Sequence, residues 1–331
     1  LIGADAADIL DALVADSLLA VRDRGLPRFH MLVTVRDFAL TQLAATGDEA
    51  LARAALHQWA VDLCSRIGFP LDAGDFGDVS HPDARQHDRL FQQVVHDEAV
   101  ILQELDRLLA QAEARGPEQI PANLREAICL IGAALLRLWS VTWSYERIAD
   151  YGSRLMGTAV QPAQSPRGNE AGLSVLALCS TLFGLLSHVP AQLRSLLQAS
   201  FDSEGSFSRV RRFLRAGDDQ WPALTGDADP WVAWAATRCL AAQQEDDGDP
   251  HASLETIETL LGRLRSTDLA GVHLLELHLH RLQVLMSLGR YGQVADACAR
   301  AEVLLDRLLP SWGRFFRTAL QLESAYCAVY L

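Results

Sequence analysis

The rhythm of apolar and polar positions changes once, near the start of the chain. Two short runs, Leu18–Val21 and Arg28–Met31, alternate with a period of two and flank the turn-forming stretch Arg24-Gly25-Leu26-Pro27, which predicts a small two-stranded hairpin. In this reading Leu19 and Val21 lie on one face, Phe29 and Met31 on another. Before the hairpin, Leu10, Leu13 and Val14 form the inner stripe of a short helix over Ala7–Val14. After it, Val35, Phe38, Ala39 and Leu43 recur at spacings of three and four, predicting an amphipathic helix over Val33–Ala45 with Gly47 as its stop. Helix, hairpin and helix in this order read as the end of a winged helix, assigned to residues 1–47.

From residue 48 onward the period is helical. Helices are predicted over Ala50–Ile67, Asp88–Ala114, Asn123–Trp139 and Tyr145–Val160, with an Asp-rich loop over Leu71–Arg85. Asn123, with Glu126 three residues on, has the spacing of a capping box. Ala171–Gln192 carries no charged residue, but its Gly, Ser and Thr positions and Pro190 favour a helix buried among other helices over a membrane span. Asp229-Pro230 and Asp249-Pro250 each place a capping acid before a proline suited to the first helical position, and Ser311 after Pro310 opens another helix. Successive helical pairs thus begin near Pro230, Gly271 and Ser311, a step of about forty residues that fits helical-hairpin repeats. Gly289-Arg290-Tyr291 followed by Val294, Cys298 and Ala301 has the turn and second helix of a tetratricopeptide unit, with Tyr291 filling the interhelical groove. The predicted fold class is therefore mainly α, a winged-helix remnant followed over 48–331 by an α-solenoid of TPR-like hairpins. Such pairs stack into a superhelix with a concave binding surface.

One segment carries a family resemblance. Met31-Leu32-Val33-Thr34-Val35-Arg36-Asp37-Phe38-Ala39-Leu40, preceded by Leu13-Val14-Ala15-Asp16-Ser17-Leu18-Leu19, resembles the end of the ATPase core in bacterial signal-transduction (STAND/NB-ARC-type) ATPases of the AfsR/MalT-like class. It departs from the family pattern at Val33, where the motif is acidic, and at Leu32, where related proteins place a histidine that senses bound ADP. The resemblance implies a nucleotide-binding domain before the winged helix and a tetratricopeptide-like arm after it. It also implies ATP or ADP in the parent protein, with no cofactor in this part, and the ATPase core of the same polypeptide as a partner.

Composition narrows the functions further. The 331 residues are 50% hydrophobic with a net charge of −13, which argues against contact with nucleic acid by this chain, because phosphate neutralisation needs a basic field. No lysine occurs, which removes a Walker-type phosphate loop, a Schiff base and a pyridoxal site from this chain. Cys64, Cys129, Cys179, Cys239, Cys298 and Cys327 stand singly, as small buried hydrophobes do in a reducing cytoplasmic setting. A start at Leu1 without methionine and an end within an apparent helix read as part of a longer polypeptide.

Candidate site residues fall into three groups. Trp139 with Trp143, and Trp231 with Trp234, are spaced to share a helix face and could anchor a ligand in a groove or plug the space between helices. His273 and His280 lie two turns apart on one face, whereas His278 points elsewhere; the first two read as ordinary partly buried histidines of a repeat or, if that face lines the concave surface, as groups that receive an anion or respond to pH. Arg211 and Arg215 share a face within the run Arg209, Arg211, Arg212, Arg215, a cationic patch on an acidic chain that reads as a solvent-facing helix or as a docking surface for an acidic partner or the ATPase core. His81, Asp83, His87, Asp88, His96 and Asp97 lack the spacing of a helical metal site and read as solvated surface. No catalytic motif of the Gly-x-Ser-x-Gly or His-Glu-x-x-His kind is present. The expectation is a sensor arm that binds an inducer or protein partner, not an enzyme; the alternative is a stand-alone TPR-type peptide-binding scaffold.

Overall fold

The protein is described by a computed structural model over residues 6–23, 27–67, 84–116, 119–142, 144–159, 165–183, 208–216, 218–264, 271–306, 308 and 310–330. It divides into two compact units, Leu1–Ala60 and Val61–Leu331. Gly47 ends a helix, but the division falls further on, inside the helix that follows.

In the first unit, α1 (Ala6–Ala15) leads into β1 (Leu19–Asp23), β2 (Pro27–Met31) and α2 (Val33–Thr46). Ser17, at a φ of 60°, takes the left-handed conformation that closes α1, and the Leu18 N–H reaches back to the Leu13 carbonyl at 2.9 Å. The strands pair antiparallel, with Leu19 opposite Met31 and Val21 opposite Phe29. Residues directly opposed across such a pair point the same way, so all four share one face; the expectation of two faces is corrected by the register. Gly47, at a φ of 78°, stops α2 as expected. The expected inward stripe of α2 is not buried: no residue of α2 is, and Phe38 is 65% exposed, because none of the described residues of this unit covers that face.

α3 (Glu49–Ile67) buries Leu63, Cys64 and Ile67 in its last turns. In the second unit α4 (Ala84–Glu113), α5 (Ala122–Thr142), α6 (Tyr145–Ala159) and α7 (Pro166–Phe183) form a layer around α5, which contacts the other three. α5 is apolar on nearly every side and is buried from Leu124 to Val141 apart from Glu126, as a central helix must be. Asn123 lies inside α5 and is not its cap; the Pro121 carbonyl already accepts from the Arg125 N–H, and the Glu126 carboxylate accepts from the Ser165 hydroxyl at 2.6 Å. The capping-box expectation fails because the helix begins earlier, directly after Pro121. Gly132 permits the close packing of α5 on α6, since a Cβ there would come within 2.5 Å of Leu155 Cδ2. α7 is buried from Ala171 to Cys179, and the rest of the predicted uncharged helix, residues 184–192, lies outside the described residues. The same holds for most of the Leu71–Arg85 loop. Among the described residues no helix is long and apolar enough to cross a membrane.

The remaining elements are α8 (Ser208–Ala216), the short α9 (Trp221–Leu224), then α10 (Pro230–Asp246), α11 (Pro250–Arg263), α12 (Gly271–Ser287), α13 (Tyr291–Leu305) and α14 (Pro310–Tyr330). Asp229 caps α10 by accepting from the Trp231 and Val232 N–H groups, and Asp249 caps α11 by accepting from the Ala252 N–H. Gly289, at a φ of 67°, makes the reversal between α12 and α13, where Val294, Ala297 and Ala301 are fully buried and Tyr291 is half-buried. From α10 onward each helix packs on the next. α10 also meets α7 and α8, while α14, which buries Phe316 and Leu320, also packs on α4 and α5. Contacts in this unit are thus not confined to neighbouring pairs, as they are in a purely linear repeat array.

Candidate functional site

The capped first turn of α10 sets the direction of its aromatic residues. Trp231 and Trp234, three positions apart, lie on neighbouring faces with ring centroids 5.9 Å apart. Phe213 of α8 meets Trp231 edge-on at 6.0 Å, and His273 of α12 lies 4.1 Å from Trp234, tilted by 39°. The fold therefore joins two of the sequence candidates, the α10 tryptophans, to a third, His273. They do not line an open groove: Trp231 and Trp234 are 1% and 2% exposed and fill space between helices. Trp139, fully buried on α5, sits elsewhere; its indole N–H donates to Glu98 Oε1 at 2.7 Å and its ring leans on Tyr151 at 5.3 Å. Trp143 lies outside the described residues.

Beside the aromatic cluster is a buried ionic centre. Glu276, one turn beyond His273 on α12, has its carboxylate 3.8 Å from Arg137 Nη1 and 3.5 Å from His273 Nδ1. Both separations are electrostatic contacts longer than good hydrogen bonds. Arg238 of α10 donates to the Glu276 carbonyl at 3.3 Å. Burial pushes the Glu276 carboxyl up, but His273 and Arg137 outweigh it and hold the group below the usual carboxylate range. Burial also dominates at the other two, moving His273 below its ordinary value despite Glu276, and lowering Arg137. The centre is therefore a carboxylate and a guanidinium with a neutral imidazole between them and the indole of Trp234.

His280, two turns along α12, has a separate partner. Its Nε2–H donates to Glu245 Oε1 of α10 at 2.5 Å, and the Ser253 hydroxyl donates to the same oxygen at 3.0 Å. Burial lowers the imidazole, and the charge-assisted bonds, His280 foremost, hold Glu245 low against the upward push of burial. His273 and His280 are 2% and 7% exposed, as buried histidines between helices are, and do not face an open groove. Sequence reasoning missed Arg137, Glu245 and Glu276. Only the three-residue spacing of His273 and Glu276 offered a signal, since Arg137 and Glu245 come from other helices.

The cationic run is partly neutralised. Arg212 pairs with Asp227 at 2.7 Å and Arg209 with Asp229 at 3.9 Å, both acids on the turn before α10. The side chains of Arg211 and Arg215 lie outside the described residues. Among the described residues no group of three or more His, Cys, Asp or Glu is arranged to hold a metal. Burial pushes the thiols of Cys64, Cys129 and Cys179 up to about 12, which leaves them protonated and unreactive.

Chemically, this arrangement holds helices in register and keeps solvent out. A shift that separates Arg137 of α5 from Glu276 of α12 would remove the opposite charge from two buried ions, which costs far more than the pair contributes. The Trp231 and Trp234 indole N–H groups and the Thr237 hydroxyl are buried without hydrogen-bond partners, so the centre also carries an unmet polar cost. Comparison with protein-family models, with curated proteins and with solved structures finds no match to this chain.

Proposed function

We propose that this chain is the sensor and protein-interaction arm of a STAND-type ATPase that regulates transcription in the cytoplasm. Residues 1–47 are the end of a winged helix, and the helical pairs that follow form a TPR-like solenoid that binds an inducer or partner and controls the ATPase core. The observation that carries the reading is the helix–hairpin–helix unit with its apolar side chains outward. Leu32, Val33, Phe38 and Leu40 are all more than half exposed, a surface suited to docking on another domain. Contact with the ATPase core of the same polypeptide would cover it. An inducer that favours the open form of the regulator over its closed, ADP-bound form would then shift the population between them.

The test begins with the coding frame upstream of Leu1, where a Walker A loop is expected. Nucleotide exchange on that parent protein should change when Phe38→Ser and Leu40→Ser are introduced together. A frame without a phosphate-binding loop removes the ATPase reading and leaves the stand-alone TPR-type scaffold. That second reading is supported by the succession of helices from Pro230 onward, each packed on the next, which needs no ATPase to form.

A further inference from the structure

Helices α11, α12 and α13 line an open cavity of about 420 Å³ that none of the groups described above occupies. Each helix contributes one face at helical spacing: Glu258 and Leu261 from α11, Leu274, His278 and Arg281 from α12, Arg300 and Leu304 from α13. Its volume lies in the range of small-molecule sites, and it has the expected make-up of apolar walls with a few polar groups.

The charges in it do not cancel. Arg281 donates through Nε and Nη2 to a single oxygen of Glu258, at 2.9 and 2.7 Å, so those two groups neutralise each other. Arg300, exposed at the rim, is the remaining charged group, so the described lining residues carry one excess positive charge. His278 lines the same space with its Nδ1 buried and without a hydrogen-bond partner. Burial first, then the nearby guanidinium groups of Arg281 and Arg300, push this imidazole down to about 4, so it is neutral near pH 7 and adds no charge. The leucine side chains form the rest of the wall.

We propose that this cavity is a binding site for a small aliphatic carboxylic acid, with the carboxylate at Arg300 and His278 and the hydrocarbon body against Leu261, Leu274 and Leu304. One excess positive charge matches a monoanion better than a doubly charged phosphate, and the leucine wall has no polar group to replace the water around a sugar or a peptide backbone. The site does not depend on the ATPase reading, because it is assembled within three successive helices.

Octanoate is the probe, added to the whole chain with the His278 ring signals followed by NMR. It should bind saturably and raise the His278 titration midpoint, because the carboxylate offsets the two guanidinium charges. Arg300→Gln should weaken binding about tenfold, the loss of one charge-assisted contact. Gly262 borders the cavity and a Cβ there would meet no atom within 4 Å, so Gly262→Leu should fill the space and abolish binding while the thermal melt is kept. Inorganic phosphate should bind at least about tenfold more weakly than octanoate. The proposal is overturned if octanoate in the millimolar range leaves His278 unmoved, if phosphate binds as well as octanoate, or if both variants bind like the parent chain.

Discussion

The two units bury their largest apolar side chains to different extents. Among the described residues of the first unit, Phe29, Met31, Val33, Phe38 and Leu40 stand 38% to 65% exposed, whereas in the second unit Trp139, Trp231, Trp234 and Phe213 are at most 2% exposed. Both regions have amphipathic patterns at helical or strand spacing. An apolar stripe is buried only when another stripe meets it, and in the second unit α4 to α14 supply those partners reciprocally. The second unit thus has a packed apolar core, whereas the first leaves much of its apolar surface exposed.

The strongest test of that difference is truncation of one aromatic residue in each unit. Trp234→Ala should destabilise the second unit by about 3–5 kcal/mol, read by denaturant unfolding. A loss under about 1 kcal/mol would mean that the cluster around His273 is not closely packed.

Removing one member of the buried ion pair should come next. Arg137→Met or Glu276→Gln alone removes the opposite charge from the other buried group, with an expected cost of about 3 kcal/mol or more. The combined Arg137→Met and Glu276→Leu variant should recover most of that loss. If the double variant is no better than the worse single one, the charges do not act as a pair.

Acidity should also act on the second unit. His273, His278 and His280 all titrate below their ordinary value in the folded chain, so below pH about 6.5 the unfolded state binds more protons. Their stabilising effect is complete above that pH and is lost as pH falls through the folded values. His278, held at about 4, accounts for up to about 3 kcal/mol of this between pH 6.5 and 4. Melting temperature measured against pH should fall over that window and fall less steeply in His278→Gln. An unchanged slope would place the sensitivity in other groups.

Backbone strain gives a smaller effect. Gly289→Ala should cost about 1 kcal/mol, because a side chain at a φ of 67° is strained even where space is open. The smallest change is expected in the first unit, where Phe38→Ala should alter stability by no more than about 0.5 kcal/mol. A cost comparable to that of Trp234→Ala would erase the contrast between the two units.

Much of the local structure was legible in the residues themselves. Asp229 and Asp249 before their prolines located two helix starts, and Gly47 and Gly289 located a stop and a reversal, because caps and left-handed turns depend on a few adjacent residues. Asn123 misled because its capping-box spacing is compatible with a helix that has already begun. The hairpin was also legible, but its shared face was not, since that follows from which residues lie opposite each other.

For the candidate site, the sequence by itself determined that Trp231 and Trp234 lie close on one helix and that His273 and His280 are two turns apart. Tertiary structure decided that the tryptophans and His273 meet, that Glu276 and Arg137 pair beside them, and that His280 bonds to Glu245, 35 positions away. It also decided which apolar faces stay open and where three helices leave a cavity. Helical periodicity has a range of a few residues and fixes only the direction of a side chain. What that side chain touches depends on the packing of distant segments, which is set by the whole chain at once.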